Sequence, residues 1–495
     1  MHMAVAGLEA PDSISAGRLP NQHFYSNFNK SMKAADPMAE IGLPLPSKRG
    51  SWISAPAFRM HPTSCGGVAA PQSFNPKPPP SMKPTFLLIA AISGSALGQG
   101  SLTPPGSPAP VMKSLQEIWD KSALLESQNL SQQQQISTLQ QTHAEQSSLF
   151  TVLLDLVGVS LPWQSTTVDS AGVVGTFTSL TFGPDHQPAI SYCDITNRDL
   201  KFARSYGGVW TCTTVDGAGD VGYCTSLAFG PDGQPAISYY DATNGDLKIA
   251  RYHGSAWNLT TVDSTGDVGY FTSLAFGPDG QPAVSYQDAT DDDLKIARYN
   301  GSVWILTTVD SDGSVGSYTS LAFGPDGQPA ISFWDGTDFE VEIARFTGSG
   351  WVRGTVSDRA YGPGCTSLAF GPNDHPAISF YDDTCRSLKI SRYDGSNWPV
   401  EVIIDPSSGG TGSYSSLAFG PDGQPAISYY CTDTADLKLA RCKGSTWAVS
   451  TVASAGNVGT HTSLAFGPDG QPAISYYDAT NGDLKFAFKA PFTSP

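Results

Sequence analysis

The sequence predicts an all-β fold: a seven-bladed β-propeller of four-stranded blades, closed by an N-terminal strand and preceded by a helical stalk and a disordered N-terminal region. Three observations carry this. An SL dipeptide recurs with Leu180, Leu227, Leu274, Leu321, Leu368, Leu417 and Leu464, at spacings of 47, 47, 47, 47, 49 and 47 residues. A fixed period of that length marks a propeller or a solenoid. Each copy holds four short apolar runs, in the second copy SLAF, PAISYYD, LKIARY and WNLTTV, separated by turn formers and without helical periodicity, which is the pattern of one blade. Finally, the seventh copy stops at LKFAFKAPF without the Trp strand of the other six, while LPWQSTTVD (Leu161 to Asp169) matches that strand and precedes the first copy. A ring in which the N-terminal strand completes the last blade explains both ends and removes the exposed edges of an open array.

Within the repeat, Pro231, Asp232 and Gly233 suit a tight turn, and Asn244-Gly245 suits a two-residue hairpin. Alternation puts Leu227, Phe229, Ile237 and Tyr239 on one side of a blade and Ser226, Ala228, Ala236 and Ser238 on the other. Bulky faces are therefore expected to stack on the small faces of the next blade. The ring spans residues 161 to 490.

The chain has 495 residues and a net charge of −17, and after residue 98 it carries 20 Lys and Arg against 41 Asp and Glu. That balance argues against nucleic acid, which needs a basic surface. A hydrophobic content of 40 % suits a soluble protein. The eight cysteines lack metal-ligand spacing; Cys193 with Cys224 and Cys365 with Cys385 are conceivable pairs in an oxidising compartment, and free thiols are the alternative.

Residues 1–81 are rich in Pro, Ser and Gly and end in PKPPPS, so they are expected to be disordered or a mis-assigned extension. Residues 82–98 read as a signal peptide: Lys83 is a minimal positive region, Phe86 to Ile92 an apolar one, and Ala96-Leu97-Gly98 a small-residue cleavage site. The apolar stretch is too short to span a bilayer, and Met82 would then be the true start. Residues 99–111 form a Pro-rich linker and 112–157 a helix. A heptad can be written over 115–153, with Asn129 at an a position able to set register in a homo-oligomer; a single helix or polar spacer fits equally.

The repeat, with TSL, PAISYYD and DATNGDLK, resembles a family of exported bacterial and archaeal propeller repeats with consensus near TSLALDSNGNPHISYYDATNGDLKYA. The resemblance covers nearly the whole ring; it implies the propeller fold and export and assigns no reaction. The Gly-Ser-x-Trp turns at 254–257, 301–304 and 395–398 are loosely similar to those of lectin-like Asp-box propellers, but the Asp-box spacing is not kept and sialidase activity is not implied. The segment LTPPGSPAPVMKSLQEIWDK resembles the leader-proximal region of exported proteins from Verrucomicrobia-like bacteria.

Six blades end their second strand in Asp, and in five of them a Lys follows seven residues later: Asp194 with Lys201, Asp241 with Lys248, Asp288 with Lys295, Asp382 with Lys389 and Asp478 with Lys485. A two-residue turn would set each pair directly opposite, as register-fixing ion pairs. Blade four breaks the rule. There Glu342 takes the Lys position, so Asp335 and Glu342 would face each other as like charges, with Trp334 beside them and Arg359 and Tyr361 on a divergent connection. Trp334, Asp335, Glu342, Arg359 and Tyr361 are thus the candidate ligand-binding residues, an aromatic plate, two carboxylates and an arginine suited to carbohydrate. Drift within an amplified array is the competing account. The connections DSTGDVG and DSDGSVG suggest calcium but lack EF-hand spacing; no cofactor and no catalytic residue is assigned. Non-catalytic binding of carbohydrate or another surface ligand is the expected role, a polysaccharide glycosidase or lyase the alternative, and a purely structural repeat the third.

Overall fold

A computed structural model of the chain describes residues 119–129, 131–132, 135, 142, 161–358, 365–403 and 411–489. Residues 119–129 are helical and expose Trp119, Leu124 and Leu125. Among the described residues no helix is long and apolar enough to cross a membrane. Residues 161–489 form seven four-stranded antiparallel sheets, six built from consecutive strands in chain order. The seventh takes its outer strand, Trp163–Asp169, from the start of the ring and pairs it antiparallel with Asp483–Lys489, so that Trp163 lies opposite Lys489 and Thr167 opposite Lys485.

The TSL motif explains how blades join. In each blade the Ser of the motif accepts a hydrogen bond from the Leu N–H of the next: Leu227 to Ser179, Leu274 to Ser226, Leu321 to Ser273, Leu368 to Ser320, Leu417 to Ser367, Leu464 to Ser416, and Leu180 to Ser463, each at 3.0 Å. The last bond closes the circle. The preceding Thr reaches back as well: the Thr225 hydroxyl donates to the Phe177 carbonyl at 2.8 Å and lies 2.6 Å from Ser191 Oγ. Inner-strand polar groups that no sheet partner could satisfy are thereby used between sheets.

Packing follows the large-on-small pattern. Leu227, Ile237 and Tyr239 of blade two meet Ala189 of blade one, and Ala236 of blade two meets Leu274, Val284 and Tyr286 of blade three. Seven such apolar clusters, one per seam, make up the core.

Two polar clamps repeat at the seams. On one rim the Asp ending a fourth strand accepts from a Tyr and a Lys of the next blade: Asp216 from Tyr239 and Lys248, both at 2.7 Å, and Asp263 from Tyr286 at 2.7 Å and Lys295 at 2.8 Å. The closing strand enters the same scheme, since Asp169 accepts from Tyr192 at 2.6 Å and Lys201 at 2.5 Å. Burial pushes these three carboxyls up, but hydrogen bonds from Lys and Tyr outweigh it and hold them below the ordinary value. On the other rim an Arg binds the turn Asp of its own blade and lies over a Phe of the next. Arg251 is 2.9 Å from Asp232 and 5.5 Å from the Phe276 ring centre; Arg298, Arg345 and Arg441 repeat this with Asp279, Asp326 and Asp422.

The predicted hairpin register needs correction. Asp241 lies opposite Asp246, and Lys248 opposite Tyr239, because the turn has four residues, the last in the left-handed region. Gly245 supplies that conformation, but Arg198, Asp292, Phe339, Arg386 and Ala435 adopt it at the equivalent positions. Asn-Gly here is thus the end of a longer turn. The expected partners Asp194 and Lys201, Asp241 and Lys248, Asp288 and Lys295, and Asp478 and Lys485 are diagonal neighbours at 3.3–3.7 Å, and Lys389 bonds Asp382 in the same way. The Asp chiefly caps its turn: Asp241 accepts from the N–H groups of Thr243 and Asn244 and from the Asn244 amide.

Replacing Asp263 by Ala strands the Tyr286 hydroxyl and leaves the mostly buried Lys295 only its longer bond to Asp288, and is expected to cost about 2–3 kcal/mol in urea unfolding. Asp279→Ala removes an exposed pair with Arg298 and is expected to cost under about 1 kcal/mol.

Candidate functional site

Blade four departs from the clamp at its seam with blade three. Its third strand, Glu340–Phe346, places Glu342 where Lys295 stands in blade three, and its second strand, Pro329–Asp335, places Phe333 where Tyr286 stands. Asp310, the end of the strand Trp304–Asp310 in blade three, therefore loses both usual donors and faces a carboxyl. The compensating cation is Arg353 on the fourth strand, Trp351–Ser357. Its Nη1 bonds Asp310 Oδ2, and its Nη2 lies 3.6 Å from Asp312. Leu259 and Leu306 hold the equivalent positions in blades two and three.

Glu342 is only 9 % exposed, and its Oε2 has no hydrogen-bond partner among the described residues. Burial pushes its carboxyl up to about 7, with the nearby Arg353 opposing and Asp335, Asp310 and Glu340 adding to the rise. In front of Asp310 and Arg353 lies a cavity of about 450 Å³ lined by Thr308, Val309, Asp310, Ser311, Asp312 and Arg353.

The five sequence candidates are distributed differently from expectation. Trp334 is no exposed plate: it is 8 % exposed and packs edge-on against Phe339, with ring centres 6.2 Å apart. Asp335 lies opposite Glu340, while Glu342 lies opposite Phe333, the four-residue turn again moving the register. Asp335 is 3 % exposed and caps its turn by accepting from the N–H groups of Thr337 and Asp338. Burial raises its pKa despite those bonds. Arg359 and Tyr361 lie outside the described residues. The sequence reading missed Asp310 and Arg353. The signal was present as a correlated change, since Phe333, Glu342 and Arg353 all leave the repeat in one blade.

A second set of residues also escaped the sequence reading. In six of the seven inner strands one residue, namely Phe177, Cys224, Phe271, Tyr318, Tyr414 or His461, adopts a φ of 51–55°, a conformation rare for bulky side chains. Bulges in the inner strands impose it. Their rings meet across blades: Phe177 and Tyr414 each lie 4.6 Å from His461, and Phe271 lies 4.3 Å from Tyr318. Burial lowers the His461 imidazole to about 4, so it is neutral at pH 7. The described cysteines are all free thiols, Cys193, Cys224, Cys365 and Cys385 included. Among the described residues no group of three or more His, Cys, Asp or Glu side chains is arranged to hold a metal ion.

No family model and no curated protein matches the chain. Among solved structures, a fungal lectin with a six-bladed β-propeller fold from Aleuria aurantia is similar at 17 % identity and a TM-score of 0.41, over 58 % of this chain and 98 % of the lectin. An ulvan lyase from a new family of polysaccharide lyases reaches 14 % identity and a TM-score of 0.46, over 65 % and 95 %. YCF48 from Cyanidioschyzon merolae reaches 13 % and 0.44, over 66 % and 98 %. The likeness at these identities is one of fold.

Proposed function

We propose that the protein is an exported, non-catalytic binding protein that takes carbohydrate at the seam of blades three and four. One observation carries the reading: a polar cavity is lined by Arg353, Asp310 and Asp312, and the buried Glu342 carboxyl that interacts electrostatically with Arg353 and Asp310 has an oxygen, Oε2, without a hydrogen-bond partner among the described residues. A buried polar atom left unpaired costs free energy that a ligand group can recover. Alternating donors and acceptors at Arg353, Asp310 and Asp312 suit the vicinal hydroxyls of a sugar. Export rests on the leader at residues 82–98, and the heptads over 115–153 would make binding multivalent.

A second reading rests on the titration of the same carboxyl. An acid with a pKa of about 7 close to Asp310 and Arg353 is poised for general acid or base work on a polysaccharide.

A glycan array run with the full chain, together with a reducing-sugar assay, tests both. Binding without turnover, weakened at least tenfold by Arg353→Lys and made less pH-dependent by Glu342→Gln, is expected. Turnover abolished by Glu342→Gln would favour the enzyme; no glycan bound, or binding unchanged in Arg353→Lys, would refute the site.

Glu342 also gives stability a pH signature. Its folded pKa of about 7 lies above the ordinary 4.5, so the fold favours the protonated form. Stability is full below pH 4.5 and falls as pH rises towards 7. The difference in Tm between Glu342→Gln and the parent protein is therefore expected to grow in favour of the variant across that window, as thermal melts would record.

A further inference from the structure

Five seams share the rim clamp of Arg, turn Asp and Phe, the fifth being Arg204 with Asp185 and the Phe229 ring, and these five copies report what chemistry their space accepts. In blade six a Cβ built at Gly420 would meet three groups: Asp422 Oδ1 at 2.6 Å, the Phe466 ring at 3.1 Å and Arg441 Nη2 at 3.2 Å. Blade four repeats this at Gly324, with Asp326 at 2.7 Å, Phe370 at 3.2 Å and Arg345 at 3.3 Å. At the seam of blades seven and one the cradle recurs without its cation. A Cβ at Gly467 would meet Asp469 Oδ1 at 2.8 Å and the Phe182 ring at 3.4 Å. The position of the missing Arg is Phe488, register partner of Ala473 as Arg441 is of Ala426.

Phe488 does not fill the space. Its ring stacks on Phe486 of its own strand, with centres 5.6 Å apart. What remains is a cavity of about 490 Å³ between the two blades, walled by Phe182, Trp210, Phe486 and Phe488, with Asp469 at one side. That volume lies within the range of about 300–1,000 Å³ usual for ligand pockets. Asp469 accepts from the Gln471 N–H at 3.0 Å, and among the described residues it has no ion pair. Asp185 also lines the cavity but is already bound by Arg204. Lys489 borders it with its ammonium over the Trp163 ring at 5.5 Å.

We propose that this seam pocket binds a guanidinium ligand, an arginine side chain of a partner or free arginine, which pairs with Asp469 and stacks on Phe182 as the intramolecular arginines do in the other blades. A planar guanidinium offers paired donors to a carboxylate and a face to an aromatic ring, and an ammonium offers only the first. The site is separate from the cavity at blades three and four, so failure of one leaves the other standing.

The test uses the full chain and two probes, N-acetyl-arginine amide and a Gly-Arg-Gly peptide, each titrated calorimetrically against its citrulline counterpart, which keeps the shape and loses the charge. Saturable binding of either arginine probe, at least tenfold tighter than its citrulline counterpart and lost in Asp469→Asn, supports the site. Preference for the peptide points to a protein-borne arginine and equal affinity to free arginine. Phe488→Arg restores the intramolecular clamp and is expected to raise Tm while abolishing probe binding, so that loss of binding cannot be a folding defect. No saturable arginine binding up to about 10 mM, equal citrulline binding, or undiminished binding in Phe488→Arg would overturn the proposal.

Discussion

The ring depends on one bond made seven times: the serine of each TSL accepts the leucine N–H of the next blade. A blade alone is a twisted sheet with two apolar faces, and it has no stable existence until both are covered. Apolar stacking supplies the drive for association, but it is indifferent to small slips. A main-chain donor held to a side-chain acceptor at every seam fixes the height of each inner strand against the next. The circular pattern requires the last blade to meet the first, and the strand Trp163–Asp169 makes that blade complete.

The seams also form a set of internal comparisons, because the same two clamps are written seven times with variations. Where Asp310 loses its Tyr and Lys donors, Arg353 supplies a cation from a neighbouring strand. At the seam of blades four and five the fourth-strand residue of blade four is Ser357 and the second-strand aromatic of blade five is Phe380, so acceptor and phenol are lost together. Lys389 then turns to Asp382. Asp469 differs in keeping its carboxylate and ring while losing its arginine. Complete substitution of a clamp leaves nothing unsatisfied, whereas partial substitution leaves a polar group with capacity to spare. Both candidate sites arise in this second way.

Much of the fold was legible because it rests on periodicity. The 47-residue repeat, the unmatched Trp strand at one end and LPWQSTTVD at the other dictated ring closure, and alternation dictated how blades stack. The hairpin register was not legible. Asn-Gly favours a two-residue turn when read alone, and only the arginines, aspartate and phenylalanine that occupy the Gly245 position in other blades reveal a four-residue one. The same shift removed the direct opposition of Asp335 and Glu342. Trp334 looked exposed because its neighbours were polar, yet the turn folds it against Phe339. The inner-strand residues at positive φ leave no mark in composition, since Phe, Tyr, His and Cys are not residues that announce a left-handed backbone.

Circular closure is the claim on which both seam sites rest, and hydrogen exchange followed by mass spectrometry reads it directly. The amides of Trp163–Asp169 that bond Asp483–Lys489 should be protected to the same degree as the inward-bonded amides of other outermost strands, such as Trp257–Asp263. Exchange of those amides orders of magnitude faster than in the other outermost strands, as for an undocked segment, would contradict it.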